Sequence, residues 1–203
     1  MLSPGHVLRI IEEARPRAFY QGTVGGMRLI DRSLDEVLDK ARGLGCVNAV
    51  DVVMPHERGW RRLEEALPLA DVFHCNDREG AALTGEDDPL VASERILHKS
   101  VGLCLITMIP RGFVAANGET RLRMPAFKVD AMDPTGAGDA FCAGVIGAIL
   151  DSGMDQEDLA RAEGRPKKHS LGWGRSKSRL RLGTRGHNGR VEGGGRLAHR
   201  RAG

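Results

Sequence analysis

The stretch VNAVDVVM, from Val47 to Met54, holds more valine than a half-solvated strand can use. A β-branched run without polar alternation fits a strand covered on both faces. Such a strand needs layers above and below it, and the flanking sequence supplies them. Ser3-Pro4 forms a cap and first turn leading into a helix over Val7–Ala14. Ala18–Gln21 reads as a short strand, closed by GTVGG at Gly22–Gly26. Ser33 and Glu36 make an S-x-x-E capping box before a helix over Leu34–Arg42, which Gly43 and Gly45 end. An amphipathic helix is expected over Glu57–Leu67, stopped by Pro68, then a strand over Ala70–His74. Helices follow near Arg78–Leu83 and Val91–His98. Leu103–Met108 and Gly112–Ala116 read as strands in a hairpin, with Asn117-Gly118 as a turn. Met124–Val129 then leads into DPTGAGDAFCAG, Asp133–Gly144.

Strands separated by helices of about ten residues imply βαβ units and a mainly parallel, Rossmann-like α/β sheet. Ligands of such sheets gather beyond the carboxyl ends of the strands. The informative loops should therefore be 22–26, 75–79, 107–112 and 130–139.

Charge divides the chain. From Arg161 onward ten Arg and three Lys face only Glu163 and Glu192, a net of +11. The whole chain carries +3, so residues 1–160 carry −8. The basic end also holds ten of the 27 glycines and cannot bury enough apolar surface to offset its ordering entropy. The expectation is a folded domain over 1–163 and a disordered Gly/Arg-rich tail over 164–203. Clustered Arg and Gly would support weak, salt-sensitive contact with nucleic acid phosphates. Trp173 is the tail's one stacking ring and no RGG repeat occurs, so a solvated tail is the better reading.

Other chemistries lack their signatures. No apolar run reaches the length of a membrane span, and Glu12 and Glu13 break the only apolar segment near the N-terminus. Cys46, Cys75, Cys104 and Cys142 form no CxxC pair, which favours free thiols in a reducing cytoplasm. There is no HxxxH, no GxSxG and no GxxxxGK.

The motif Asp133–Gly144 carries the chemistry. Gly136, Ala137 and Gly138 precede Ala140–Leu150, a run apolar almost all round and therefore expected to be buried against the sheet. The first turn of a helix offers unpaired N–H groups and the positive end of its dipole, and small residues let a phosphate approach them. Asp139 then stands beside the anion, a poor structural choice unless it accepts a proton from an attacking hydroxyl. The plainer alternative is a glycine-rich turn with Asp139 capping the helix. A dinucleotide fingerprint fails because Phe141 occupies its sixth position.

DPTGAGDAFCAG resembles the C-terminal motif of the ribokinase-like carbohydrate kinases, the phosphofructokinase-B group. Asn76 and Glu79 in HCNDREGAALTG resemble that family's N-x-x-E element. The resemblance covers roughly Ala18 to Asp158. It implies ATP-dependent phosphorylation of a sugar-like hydroxyl, with Asp139 as general base and the amides of Gly136, Ala137 and Gly138 as anion hole. Asn76 and Glu79 would organise magnesium through water. Asp133 and the carbonyl of Thr135 match positions that hold potassium in some members, although Asp133 also suits a turn cap. ITMIPRG, Ile106–Gly112, resembles the T-x-G-x-x-G nucleotide loop and retains Thr107 and Gly112. The implied partners are a small sugar and a nucleotide, and a homodimer is compatible with the family.

Three departures set this chain apart. The family's lid strands and most sugar contacts precede the segment matched from Ala18. Ile109 replaces the first glycine of the nucleotide loop, which matters if that position needs a positive φ. After the motif helix, the expected adenine-covering helices give way to the basic stretch GRPKKHSLGWGR. The expectation is a partial kinase domain, impaired in sugar phosphorylation, with a non-catalytic, nucleotide- or partner-binding role as the alternative.

Overall fold

The computed structural model describes residues 3–55, 60, 62–130, 132–133 and 135–161. The tail expected over 164–203 lies outside them, as does part of the helix expected over Glu57–Leu67.

The described chain forms β1 (Ala18–Val24), β2 (Val47–Val52), β3 (Val72–Asn76), β4 (Leu103–Met108), β5 (Gly112–Ala116) and β6 (Arg121–Met124). These six build one sheet in sequence order. β1 to β4 pair in parallel, while β5 and β6 are antiparallel additions at one edge. The helices are α1 (Pro4–Ala14), α2 (Leu34–Gly43), α3 (Leu63–Ala66), α4 (Asp77–Thr84), α5 (Pro89–Leu97), α6 (Ala137–Asp151) and α7 (Gln156–Arg161). The α/β architecture is the expected one.

β2 is buried along its whole length, as its valines require. Strand alternation sends its side chains to two cores. Val50 and Val52 pack with Leu34 and Leu38 of α2, Leu63 of α3 and Phe73 of β3. Val47 and Ala49 point to the other face, where Val145 and Ile149 of α6 close a second cluster. A third, smaller cluster joins Val7 and Ile11 of α1 to Val37 and Ala41 of α2.

Several local expectations need correction. The capping box of Ser33 and Glu36 does not form, because Ser33 ends a 3-10 turn (Asp31–Ser33) with ψ of 28°, far from the extended backbone an N-cap needs. Pro68 comes directly after Leu67, the C-cap of α3, and sits inside the 3-10 turn Leu67–Leu69. β3 starts and ends two residues later than expected and so includes Asn76. β1 runs on to Val24 through an irregularity after Gln21. α6 is not buried all round. Cys142, Val145 and Ile149 face the sheet, whereas Ala140, Ala143, Gly144 and Ala148 are exposed. Among the described residues, no helix is long and apolar enough to cross a membrane.

Candidate functional site

The α6 face of the sheet turns polar at the carboxyl ends of the strands. Alternation puts Tyr20 of β1, Asp51 of β2, His74 of β3 and Thr107 of β4 on that face, in line with the apolar Ala49, Val72 and Leu105. Asp51 and His74 are directly opposed partners across β2 and β3. Both are buried, at 8% and 4% exposure, so neither can go without a partner. Asp51 accepts twice: Oδ1 takes the Nδ1–H of His74 at 2.8 Å, and Oδ2 lies 2.8 Å from the Tyr20 hydroxyl. The remaining ring nitrogen, Nε2 of His74, is 3.2 Å from Thr107 Oγ1.

Asp139 stands above this group. It is exposed, in the first turn of α6, and takes part in no ion pair among the described residues. Its Oδ1 lies 2.9 Å from the same Tyr20 hydroxyl that touches Asp51. Burial first, and then the Asp51 and Asp139 carboxylates, push the Tyr20 hydroxyl far above the phenol range, so it stays protonated. The thiol of Cys142, about one turn further along α6, is pushed up to about 12, mainly by burial.

Gly136 caps α6 in the left-handed region, φ 79°, which favours glycine. The Ala140 amide donates to the Gly136 carbonyl at 2.9 Å, closing the first turn of the ladder. The amides of Ala137 and Gly138 precede that turn and have no partner within the helix. Gly138 also lies over His74: a Cβ there would meet the imidazole Cε1 at 3.4 Å. Asp139 and the amides of Ala137 and Gly138 thus share the first turn of α6. The opposite end of α6 is held too, since Arg17, just before β1, donates to the Leu150 carbonyl at 2.7 Å.

Asn76 and Glu79 meet, but first as structure. Asn76 Oδ1 accepts from the Glu79 amide at 2.9 Å, and Glu79 Oε2 accepts from the Asn76 amide at 2.8 Å, a reciprocal cap on α4. Glu79 is buried, and desolvation raises its carboxyl above the usual range; the nearby Asp51 charge adds to this, while backbone donors at Asn76 and Met54 oppose it. Hard oxygen donors that are already capped suit a magnesium ion reached through its own waters better than direct ligation.

Thr107 and Gly112 bracket the β4–β5 turn. Gly112 has φ 105°, and a Cβ on it would collide with the Met124 carbonyl. The concern over Ile109 resolves: among the described non-glycine residues, only Arg15, Thr23 and Ser100 have positive φ, so this turn asks no left-handed backbone of isoleucine. Arg111 reaches across to Asp77 at 2.7 Å and joins this turn to the start of α4. Asp133 does what a turn residue does: its Oδ1 accepts from the Thr135 amide at 2.8 Å, on the surface. Nothing in that arrangement marks a potassium site.

Tyr20, Asp51 and His74 were not singled out from the sequence. One signal was available, since a carboxylate inside a valine-rich strand is costly unless paired. Asp51, His74 and Cys142 offer ligand atoms within 4.8 Å of one another. Two of the three, Asp51 and His74, are already hydrogen-bonded to each other.

Known proteins resemble this chain in sequence and in fold. The pfkB family carbohydrate kinase description matches residues 23–162. An ATP-dependent ribose-1-phosphate kinase from Halopiger xanaduensis is 40% identical over 110 residues, 51% of this chain and 32% of that protein. A fructokinase from Klebsiella pneumoniae is 36% identical over 101 residues, 49% of this chain and 33% of its own length. Among solved structures, a fructokinase with bound ATP from Xylella fastidiosa superposes with a TM-score of 0.66 at 20% identity, covering 82% of this chain and 54% of the other. An aminoimidazole riboside kinase from Salmonella enterica gives a TM-score of 0.63 at 22% identity, covering 80% and 56%. The fold is that of ribokinase-like kinases, and the chain belongs to the pfkB family of carbohydrate kinases. Its matches span about a third of the length of these curated relatives.

Proposed function

We propose that this domain transfers a phosphoryl group from ATP to a hydroxyl of a sugar or sugar-like acceptor. The observation that carries the reading is Asp139 itself: an exposed carboxylate, outside any ion pair among the described residues, in the same first turn as the amides of Ala137 and Gly138. Asp139 would take the proton of the acceptor hydroxyl as the oxygen attacks the terminal phosphorus. The amides at Gly136, Ala137 and Gly138 would receive the charge that gathers on the phosphoryl oxygens; one such donor is worth about 2.7–4 kcal/mol of barrier. Magnesium supplies charge neutralisation on the phosphates when bound, and Asn76 and Glu79 would hold it through water. Thr107 and Gly112 would line the nucleotide side. Potassium at Asp133 and Thr135 rests on the family resemblance alone. Four buried, unpaired thiols fit a cytoplasmic setting.

The test is ADP formation from ATP with a panel of sugars in magnesium buffer. Acceptor-dependent ADP that Asp139→Asn abolishes supports the reading. A second reading is nucleotide binding without turnover: a base and an anion cradle with no clamped acceptor would be slow, since positioning supplies much of catalysis. Calorimetric binding of ATP with no ADP formed under any acceptor would select it.

A further inference from the structure

The Tyr20 hydroxyl has one proton and two short carboxylate contacts, 2.8 Å to Asp51 Oδ2 and 2.9 Å to Asp139 Oδ1. A phenol donates one hydrogen bond and accepts others. With both carboxylates ionised, only one contact is a full hydrogen bond and the other sets lone pair against lone pair. Asp51 has the prior claim. It is buried, it is fixed from the far side by His74 Nδ1–H, and an ionised carboxylate there needs every donor it can find. Asp139 is exposed and can turn to water. The contact at Asp139 is fully satisfied in one state: Asp139 carries a proton on Oδ1 and donates it to the Tyr20 oxygen, while Tyr20 donates its own to Asp51.

That is the state Asp139 would enter on taking a proton from an acceptor hydroxyl. We propose that Tyr20, oriented by Asp51 and His74, is a positioning residue whose oxygen receives the Oδ1–H of Asp139 once that carboxylate has taken the proton of the acceptor. The inference rests on the kinase reading for its use, but not for its geometry. The proton balance closes. The acceptor O–H bond breaks, its proton joins Asp139 Oδ1, and that proton points to the Tyr20 oxygen. The hydroxyl proton of Tyr20 remains on Tyr20, directed at Asp51. The oxygen freed of its proton bonds to phosphorus, and Asp139 later releases the proton to solvent. The other groups around this point are His74 of β3, which holds Asp51, and Cys142 of α6, which bears on the Tyr20 hydroxyl. Through His74 Nε2 the same chain reaches Thr107 at the nucleotide turn.

An asparagine at 139 imitates the protonated aspartate, because its amide donates to the Tyr20 oxygen. A double-mutant cycle on the full chain therefore tests the role of Tyr20 without any activity. At pH 7.5, Asp139→Asn should raise the melting temperature by about 2–4 °C, the equivalent of one good hydrogen bond in a domain of this size. Combined with Tyr20→Phe, or with Asp51→Asn, which turns the Tyr20 proton towards residue 139, the gain should vanish. An equal effect of Asp139→Asn in all three backgrounds overturns the proposal, and so does a loss of stability with Tyr20 in place. Two backgrounds are used so that, if one folds poorly, the other still discriminates. In turnover, Tyr20→Phe should lower kcat about tenfold, one lost hydrogen bond in the transition state, with the KM for ATP unchanged. A parent chain that forms no ADP counts against the kinase reading, while the thermal cycle still decides the role of Tyr20.

Discussion

Asn76 and Glu79 cap one another at the start of α4, each side chain accepting from the other's amide at 2.9 and 2.8 Å. The pair expected to organise magnesium also fastens the helix that follows β3. Stability and the proposed ion binding at this point therefore draw on the same two side chains, and the substitutions that separate them are specific.

Glu79→Gln should keep the cap, since the amide oxygen still accepts from Asn76, yet remove a buried charge. The sign follows from the direction of the shift. A carboxyl raised by burial contributes stability that is full below its unfolded value and is lost as pH rises through its folded value. The parent should thus lose stability between pH 4 and pH 7 more than Glu79→Gln does. Urea unfolding at the two pH values measures it, and parallel curves would refute it. Asn76→Ala should cost about 1 kcal/mol at either pH.

Two glycines should respond differently to alanine. Gly136→Ala places a side chain in open space at φ 79°, so the cost is backbone strain of about 1–2 kcal/mol. Gly112→Ala adds a collision with the Met124 carbonyl to a φ of 105° and should unseat the pairing of β5 with β6. Thermal denaturation should rank Gly112→Ala well below Gly136→Ala.

All four cysteines should be silent to a thiol reagent at pH 8 in the folded protein and react on unfolding. Each is buried, and burial raises the thiols of Cys46, Cys75, Cys104 and Cys142. Fast labelling of any one in native buffer contradicts the packing of the strand or helix that carries it.

Phe73→Ala removes the largest fully buried ring in the core between the sheet and α2 to α5. A loss of about 3–5 kcal/mol is expected, read as the shift in urea midpoint at constant slope. A loss under about 1 kcal/mol would mean that the cavity refills by repacking.

The layered fold was legible because its signals are periodic or compositional. Val47–Met54 could hardly be anything but an internal strand, and the glycine-rich turn before an apolar run put Asp139 in the first turn of a helix. Strand ends were less legible, since β3 gains Asn76 from a pairing with Thr107 that only the neighbouring strand determines. The box at Ser33 and Glu36 shows the reverse failure: the residue types fit, and a preceding 3-10 turn spoiled the backbone. Tyr20, Asp51 and His74 stayed hidden because they lie on three separate strands, and each looks ordinary until the sheet aligns them. The small residues of α6 read as burial, although several of them only keep its outer side smooth.

α6 is tied at one end to β1, through Tyr20 at Asp139, and at the other to the residue just before β1, through Arg17 at Leu150. A helix held at a single point can slide along its axis in steps of about 1.5 Å per residue. Held at two points eleven residues apart, it cannot shift either way without breaking one tie. The depth of the Asp139 carboxylate is therefore gauged against β1, and the strand serves as the ruler for the helix.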